Sequence, residues 1–362
     1  MASNIKKLGI LTSGGDCAGL NAAIRGVVHR ARMTYGWEVY GIHDGTNGLF
    51  ERPVRATKLD LADVTPTMMR QGGTILGTTN KGNPFADPQP DGSLKDRSED
   101  IIDGIKQLGL DALIGIGGDG SFAIMTKLLS KGNFPFVGIP KTIDNDVNKT
   151  ELSIGFHTAV AVATEALDRL QPTAASHARV MVLEVMGRDA GHIALESGIA
   201  GGADVILIPE LPWSLDAVAA KIEAVRKGGR NFALVVVSEA VKTLEGGDVK
   251  KALSQGAQRY GGIGEYIAQA IAQKTGAETR VTVLGHVQRG CPPSHTDRLL
   301  AQAFGVHAVD LIAKGAFGRM VGWSDRGVID VPIAEAIASY HAVERDSTMV
   351  HTARALGICL GD

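Results

Sequence analysis

Short apolar runs, each ending in a knot of glycines or polar residues and followed by a helix-patterned segment, restrict most strongly what this 362-residue chain can fold into. "LGILT" leads into "SGGD" and a helix expected over about 22–33, and "EVYGI" follows. "DALIGIG" runs into "GDGSFAIMTKLLSKG", and "FPFVGIP" runs into "KTIDND". The later runs "ARVMVLEVM", "DVILIPE", "NFALVVVSEA" and "TRVTVLGHV" alternate with "HTAVAVATEALDRLQ" and "SLDAVAAKIEAVRKGG". Strand then helix, repeated this often, predicts α/β layers with mostly parallel sheets. Strands that are apolar almost throughout are expected to be covered by helices on both faces. Ligands of such sheets collect beyond the carboxyl ends of the strands, so the loops after the apolar runs are where chemistry is to be sought. The segment "NKGNPFADPQPDGSLKDRSED", 80–100, is rich in turn formers and reads as a long surface loop.

Composition narrows the partners. Lys and Arg total 37 against 39 Asp and Glu, a net charge of −2, so no broad field favours nucleic acid or an anionic membrane. Any phosphate recognition is therefore local. Cys17, Cys291 and Cys359 form no C-x-x-C pair, which argues against a disulfide framework or a zinc site and fits a reducing, cytoplasmic setting. The start, "MASNIKKLGILTSGGD", has only a four-residue apolar run, too short for a signal sequence or a membrane span.

Four clusters carry candidate chemistry. In "LTSGGDCAGLNAAIRG", Gly14, Gly15 and Gly19 allow either close approach to an anion at a helix N-terminus or an ordinary tight turn. In "IGIGGDGSF", Asp119 among Gly117, Gly118, Gly120 and Ser121 is either a magnesium ligand or an N-cap. In "PKTIDND", Asp144 is placed to act as a base, Thr142 as a phosphate ligand and Lys141 as a cation; an Asx-rich turn explains Asn145 and Asp146 but not Lys141 to Asp144. The fourth group comprises Arg179, the run Met186-Gly187-Arg188, Glu239, Arg280, His286 and Arg289, whose guanidinium forks suit a sugar phosphate.

"LTSGGDCAGLNAAIRG", "GGDGS", "PKTIDND", "EVMGRDAGH", "AGGAD" and "LGHVQRG" occur in the order found in the 6-phosphofructokinase family, which the chain resembles from about Lys7 to about Asp310. The resemblance implies two Rossmann-like α/β domains with the active site in the cleft between them. They would be a larger donor-binding domain, 1–153 plus about 287–336, and a smaller sugar-phosphate domain, 154–286 plus about 337–362. It implies transfer of the terminal phosphoryl group of ATP, with Mg2+, to the 1-hydroxyl of fructose 6-phosphate, the committed step of glycolysis. By position, Gly15 and Gly118 to Ser121 resemble the donor site and Asp119 the metal ligand. Asp144 resembles the proton acceptor, assisted by Thr142 and Arg188, and Thr142, Ile143 and Asp144 resemble substrate-binding residues. Met186, Gly187, Arg188, Glu239, Arg280, His286, Val287, Gln288 and Arg289 resemble the sugar-phosphate pocket, and Arg179 the arginine that a neighbouring subunit contributes. Members are usually tetramers, less often dimers.

The donor turns on two positions. Relatives that use pyrophosphate commonly carry Asp where this chain has Gly120 and Lys where it has Lys141, whereas many ATP users carry Gly at both. A carboxylate at 120 would crowd and repel a nucleotide α-phosphate; glycine leaves that space open, and Lys141 excludes nothing sterically, so ATP is expected, with pyrophosphate as the alternative. After "GGTILG" the family often has an arginine near the donor phosphates; here Lys81 is the substitute candidate. A nicotinamide dehydrogenase would need a strand followed by G-x-G-x-x-G with an acidic residue about twenty positions on, and no strand is followed by that combination. A non-catalytic sugar-phosphate sensor would not need Asp119 and Asp144 together.

Overall fold

The structure, a computed structural model, describes residues 5–80, 82–89, 91–252 and 258–362. Lys81 lies outside the described residues. The N-terminal strands are β1 (Lys7–Thr12), β2 (Glu38–Ile42), β3 (Ala56–Leu59), β4 (Asp87–Pro88) and β5 (Leu94–Lys95). Then come β6 (Ala112–Gly117), β7 (Phe136–Thr142), β8 (Ile154–Gly155), β9 (Val180–Val185), β10 (Val205–Leu207) and β11 (Ala233–Ser238). The last are β12 (Lys250–Ala252), β13 (Gln258–Tyr260), β14 (Thr279–Val283), β15 (Arg319–Ser324) and β16 (Gly327–Pro332). The α-helices are α1 (Leu20–Tyr35), α2 (Asn47–Phe50), α3 (Ser98–Leu108), α4 (Asp119–Lys131), α5 (Phe156–His177) and α6 (His192–Ala200). They continue with α7 (Leu215–Lys227), α8 (Ile263–Thr275), α9 (His295–Lys314), α10 (Ile333–Ala336) and α11 (Thr348–Ala355).

The chain divides into two compact units. The first comprises Met1–Ile143, Val147–Thr158 and Arg289–Tyr340; the second comprises Asp144–Asp146, Ala159–Gln288 and His341–Asp362. The sheet of the first unit has the order β16-β15-β7-β6-β1-β2-β3, with β8 paired to β7. Its central pairings, β15 to β7, β7 to β6, β6 to β1 and β1 to β2, are parallel, and only the edges β3 and β16 run antiparallel. The sheet of the second unit, β10-β11-β9-β14, is parallel throughout. Every residue of β6, β9 and β11 is buried, the outcome expected of apolar strands sandwiched between helices. The segment read as one long loop over 80–100 contains the small β4–β5 hairpin and the start of α3 at Ser98, so turn-rich composition concealed a local pairing. No helix among the described residues is long and apolar enough to cross a membrane.

Apolar packing sets the layers. In the first unit Phe122, Met125, Leu128 and Leu129 of α4 join Leu11, Leu113 and Phe136 of the sheet in one core. In the second, Val180, Val182, Val235 and Val237 pack with Val218 and Ile222 of α7 and Ile263, Ile267 and Ile271 of α8. Two charged groups are buried behind these sheets. Asp297, in the first turn of α9, is fully buried and accepts hydrogen bonds from Gly155 N (3.0 Å), Thr158 N (2.8 Å) and Thr158 Oγ1 (2.5 Å) at the start of α5. Glu184 of β9 accepts from Gly262 N (3.2 Å) and Gly264 N (2.8 Å) at the start of α8.

Helices α1 and α9 meet through glycine. A Cβ on Gly305 would lie 2.6 Å from Ala23 O and 2.9 Å from Val27 N, and one on Gly26 would lie 2.8 Å from Gln302 O. These are backbone atoms and cannot rotate away. Gly305→Ala would gain about 1 kcal/mol of helix propensity, yet forcing the helices apart should cost about 1–3 kcal/mol. The variant is therefore expected to melt below wild type in a thermal unfolding scan; an equal or higher Tm would show that the helices separate without penalty.

Candidate functional site

In the first unit, β1, β6 and β7 lie side by side and parallel, so their carboxyl ends deliver three loops to one edge of the sheet. The loop after β1 turns through Gly14 (φ +85°) and enters α1 at Gly19 (φ +112°), where no side chain caps the helix. It is fixed by hydrogen bonds from Ser13 N to Ile116 O (2.9 Å), from Gly14 N to Thr79 O (2.9 Å) and from Thr78 Oγ1 to Gly14 O (2.7 Å). β6 ends at Gly117, Gly118 stands at the N-cap of α4, and Asp119, Gly120 and Ser121 form its first turn. Lys141, near the end of β7, is buried and its Nζ donates to Gly15 O. A Cβ on Gly14 would sit 3.2 Å from Lys141 Nζ and 3.3 Å from Ser121 Oγ, so the loops after β1, β6 and β7 converge there.

The glycines of this edge differ in what their missing side chains leave room for. At Gly15 the space is taken by Arg289, whose Nη1 lies 2.9 Å from the Cβ position and donates to Asp16 O (2.9 Å). Among the described residues, none outside its own helical turn places an atom within 4 Å of the Gly120 Cβ position. Asp119 Oδ1 accepts from Gly120 N (2.6 Å). Among the described residues no group of three His, Cys, Asp or Glu side chains is arranged to hold a metal. A magnesium ion held by one carboxylate plus phosphate oxygens and water fits that donor set.

In the second unit, the carboxyl ends of β11, β9 and β14 likewise lie side by side. After β9 the chain passes through Met186, Gly187 (φ +151°) and Arg188 (φ +52°). Met186 N donates to the buried Gln288 Oε1 (2.8 Å), and Arg188 N donates to Glu239 Oε1 (3.1 Å). A Cβ on Gly187 would collide with Ala190 O, so only glycine serves there. Burial pushes the Glu239 carboxyl up to about 7 against the hydrogen bond from Arg188 N, with the charges of Asp144 and Glu184 adding to the rise. Asp144, Asn145 and Asp146 are buried, and Asn145 takes a left-handed φ of +53°. That turn is held by His341, whose N donates to Asp146 O (3.0 Å) and whose Nδ1 donates to Asn145 O (3.0 Å).

Some expected neighbours fall elsewhere. Arg179 immediately precedes β9 and Arg280 is the second residue of β14, so both sit at the amino edge of the sheet. They share Glu278: Arg179 Nε donates to its Oε1 at 2.9 Å and Arg280 Nη2 at 2.5 Å. Six strand residues, about 20 Å, separate this pair from the Met186–Arg188 loop. His286 and Val287 lie in the turn after β14 and are exposed, on the opposite edge from Arg280. Arg289 lies with the glycine loop of the first unit, and Ile143 is fully buried, leaving only its main chain to meet a ligand. Sequence reading missed Glu184, Asp297 and His341; a charge inside the apolar run "VMVLEVM" was a legible signal for the first.

The profile of the family described as Phosphofructokinase matches residues 7–312. The ATP-dependent 6-phosphofructokinase 1 of Synechocystis sp. is 64% identical over 358 residues, 99% of each chain. The ATP-dependent 6-phosphofructokinase 1 of Nostoc sp. is 59% identical over 360 residues, 99% of this chain and 100% of the other. Among solved structures, phosphofructokinase from Pichia pastoris aligns with a TM-score of 0.80 at 30% identity, covering 98% of this chain but only 37% of that longer one. The pyrophosphate-dependent phosphofructokinase of Nitrosospira multiformis aligns with a TM-score of 0.80 over 99% of this chain and 93% of its own, a likeness of fold at 22% identity. Strand ends, glycine loops and relatives agree: the chain belongs to the phosphofructokinase family.

Proposed function

We propose that this chain is an ATP-dependent 6-phosphofructokinase that transfers the terminal phosphoryl group of ATP to the 1-hydroxyl of fructose 6-phosphate. The observation that carries the donor reading is the open space beside Gly120, where none of the described residues outside its own helical turn places an atom within 4 Å of a Cβ position. The names of the relatives at 64% and 59% identity support it. In this reading Gly15, Gly118, Gly120 and Ser121 present main chain and one hydroxyl to the donor phosphates, with amides at the start of α4 facing negative charge. Asp119 would hold the magnesium ion, which when bound neutralises phosphate charge.

Asp144 takes the proton of the 1-hydroxyl as that oxygen attacks, and Thr142, two residues before it, is a ligand for the migrating group. Arg188 faces the charge of the transferring phosphoryl group. Met186, Gly187 and Glu239 bind the sugar, and a carboxyl that titrates near 7 can both accept and donate hydrogen bonds to its hydroxyls. Lys141 acts in part through the donor loop, because its ammonium donates to Gly15 O and so helps to shape that loop. Arg179 and Arg280, a strand length from Arg188, belong in the site of a second copy, which makes the working form an oligomer, a tetramer before a dimer. A cytoplasmic setting agrees with three free thiols.

Three outcomes follow from these roles. Asp144→Ser should lower kcat by about 10²- to 10⁴-fold with sugar-phosphate affinity nearly kept, and turnover close to wild type would remove Asp144 as the base. Wild type, assayed with magnesium and fructose 6-phosphate, should show a higher kcat/KM for ATP than for pyrophosphate. Gly120→Asp, whose Cβ meets none of the described residues outside its own helical turn, adds a carboxylate in the first turn of α4 and should fold normally, lose ATP use and lose less pyrophosphate use. A wild-type preference for pyrophosphate, or intact ATP use in the variant, would refute the steric account. Finally, inactive Asp144→Ser chains mixed with inactive Arg179→Ala/Arg280→Ala chains should recover up to about a quarter of wild-type activity if sites are shared between copies. Verified mixed oligomers without any recovery would place all three groups in one chain's site.

A further inference from the structure

Asp144 follows β7 in the chain, yet Asp144–Asp146 group with the second unit, the one that also holds Met186–Arg188, Glu239 and the C-terminal segment His341–Asp362. These three residues lie between β7 and β8, outside every strand and helix, and are 7%, 5% and 4% exposed, so their main-chain oxygens need partners within the protein. Asn145, at the centre, holds a left-handed φ of +53°, which a residue with a side chain keeps only where its surroundings fix it. His341 supplies two of those partners. Its N donates to Asp146 O at 3.0 Å and its Nδ1 to Asn145 O at 3.0 Å, so one residue, 196 positions beyond Asn145, grips two successive carbonyls. A carbonyl only accepts, which places the imidazole hydrogen on Nδ1.

His341 is itself seated by the helix that follows the Arg188 loop. His192, the first residue of α6, donates from Nε2 to His341 O at 3.1 Å, and the two imidazoles lie against each other with centroids 4.9 Å apart at 35°. Burial pushes the His192 imidazole down to about 4, against the bond to the His341 carbonyl, so near neutral pH the ring is uncharged and serves as a donor. Glu210 ties the two segments together. Its Oε1 accepts from Gly191 N at 3.0 Å and from Val343 N at 2.9 Å, which brings the residue before His192 and the second residue after His341 to one atom. Arg345 Nε then donates to Glu210 O at 3.1 Å.

We infer that His341 is a positioning residue for phosphoryl transfer: its imidazole, seated by His192, fixes the bend at Asn145 and with it the direction in which Asp144 presents its carboxylate to the 1-hydroxyl. A base takes a proton only within hydrogen-bond reach, and a displacement of about 1 Å can cost about 10²-fold in rate. The bond from His341 N belongs to the main chain and survives any side-chain change. The bond from Nδ1 does not, and its loss takes a donor from a buried carbonyl at the strained residue beside the base. Because His341 acts on the base and not on the ligand, its effect falls on turnover.

The inference rests on the reading of Asp144 as the base, and the experiment separates the two. Asn at 341 keeps an N–H in the place of Nδ1, whereas Leu keeps the branch without a donor. Assayed well below the Tm of each variant, with magnesium, ATP and fructose 6-phosphate, His341→Leu should lose about ten- to hundredfold in kcat with both KM values within about threefold of wild type. His341→Asn should restore kcat to within about fivefold of wild type, a rescue that follows from the donor alone. Adding His341→Leu to Asp144→Ser should slow that variant by no more than about threefold, because the group that His341 positions is already gone. Should His341→Leu fail to fold, His341→Ala takes its place. A lowered Tm with kcat unchanged, an Asn variant as slow as the Leu variant, or a double variant showing the full product of both losses overturns the inference, while a large loss in Asp144→Ser leaves the base standing. Turnover close to wild type in Asp144→Ser overturns both.

Discussion

Asp297 is the residue on whose hydrogen bonds the carboxyl edge of the first unit's sheet depends. A carboxylate removed wholly from water is costly unless its oxygens are filled with hydrogen bonds, and here Gly155 N, Thr158 N and Thr158 Oγ1 fill them at the amino end of α5. The consequence is geometric. Gly155 is fixed, and it is paired in register with Thr142 while Ile154 is paired with Lys141. The same glycine, at φ +105°, leaves no room between its backbone and Cys17 of the first loop. Asp297 therefore braces the end of β7 from behind and the loop after β1 from the side. Glu184 does the equivalent work in the second unit, where the amides it accepts open α8 and its strand ends in Met186. Each unit thus uses one buried carboxylate at a helix amino terminus to hold the backbone behind a presented loop.

Much of this architecture was legible in the chain because the apolar runs were long and their ends abrupt. β2 and β11 fall where "EVYGI" and "ALVVVS" stand; α1 begins where its glycine knot ends, and α4 begins inside its own, at Asp119. What remained hidden depends on contacts far apart in sequence. The amine of Lys141 read as a charge for the ligand, and its bond to a carbonyl 126 residues away could not be read from the motif. Glu184 was visible as an anomaly in an apolar strand, but its partners lie 78 and 80 residues on. Arg280 was grouped with His286 because they are near in sequence; strand geometry, in which five residues of β14 span about 17 Å, already sets them at opposite edges.

Gly120 and Lys141 illustrate why motif identity and motif function separate. The resemblance singles out both positions for the choice of donor, yet in the fold Gly120 stands beside open space and Lys141 is buried with its amine on Gly15 O. A residue beside open space can be changed with no cost to folding and a large effect on what binds. A buried amine bonded to a loop carbonyl cannot, because its replacement leaves Gly15 O without that donor and disturbs the loop first. Position in the fold, and not the residue type alone, decides which of the two acts as a specificity determinant.

The second sheet offers functional groups at both edges. Its carboxyl edge carries Met186, Gly187, Arg188 and Glu239, and its amino edge carries Arg179 and Arg280 clasped on Glu278. Two guanidiniums sharing one carboxylate keep a net positive charge between them, so the pair retains attraction for an anion even while ordered. A guanidinium extends only a few ångströms from its backbone, so the amino-edge pair cannot reach a ligand held at the carboxyl edge of its own sheet. If both edges take part in catalysis, the rigid parallel strands between them become the link by which one copy's assembly conditions another copy's site, and β9, buried at every position, is the most direct such link.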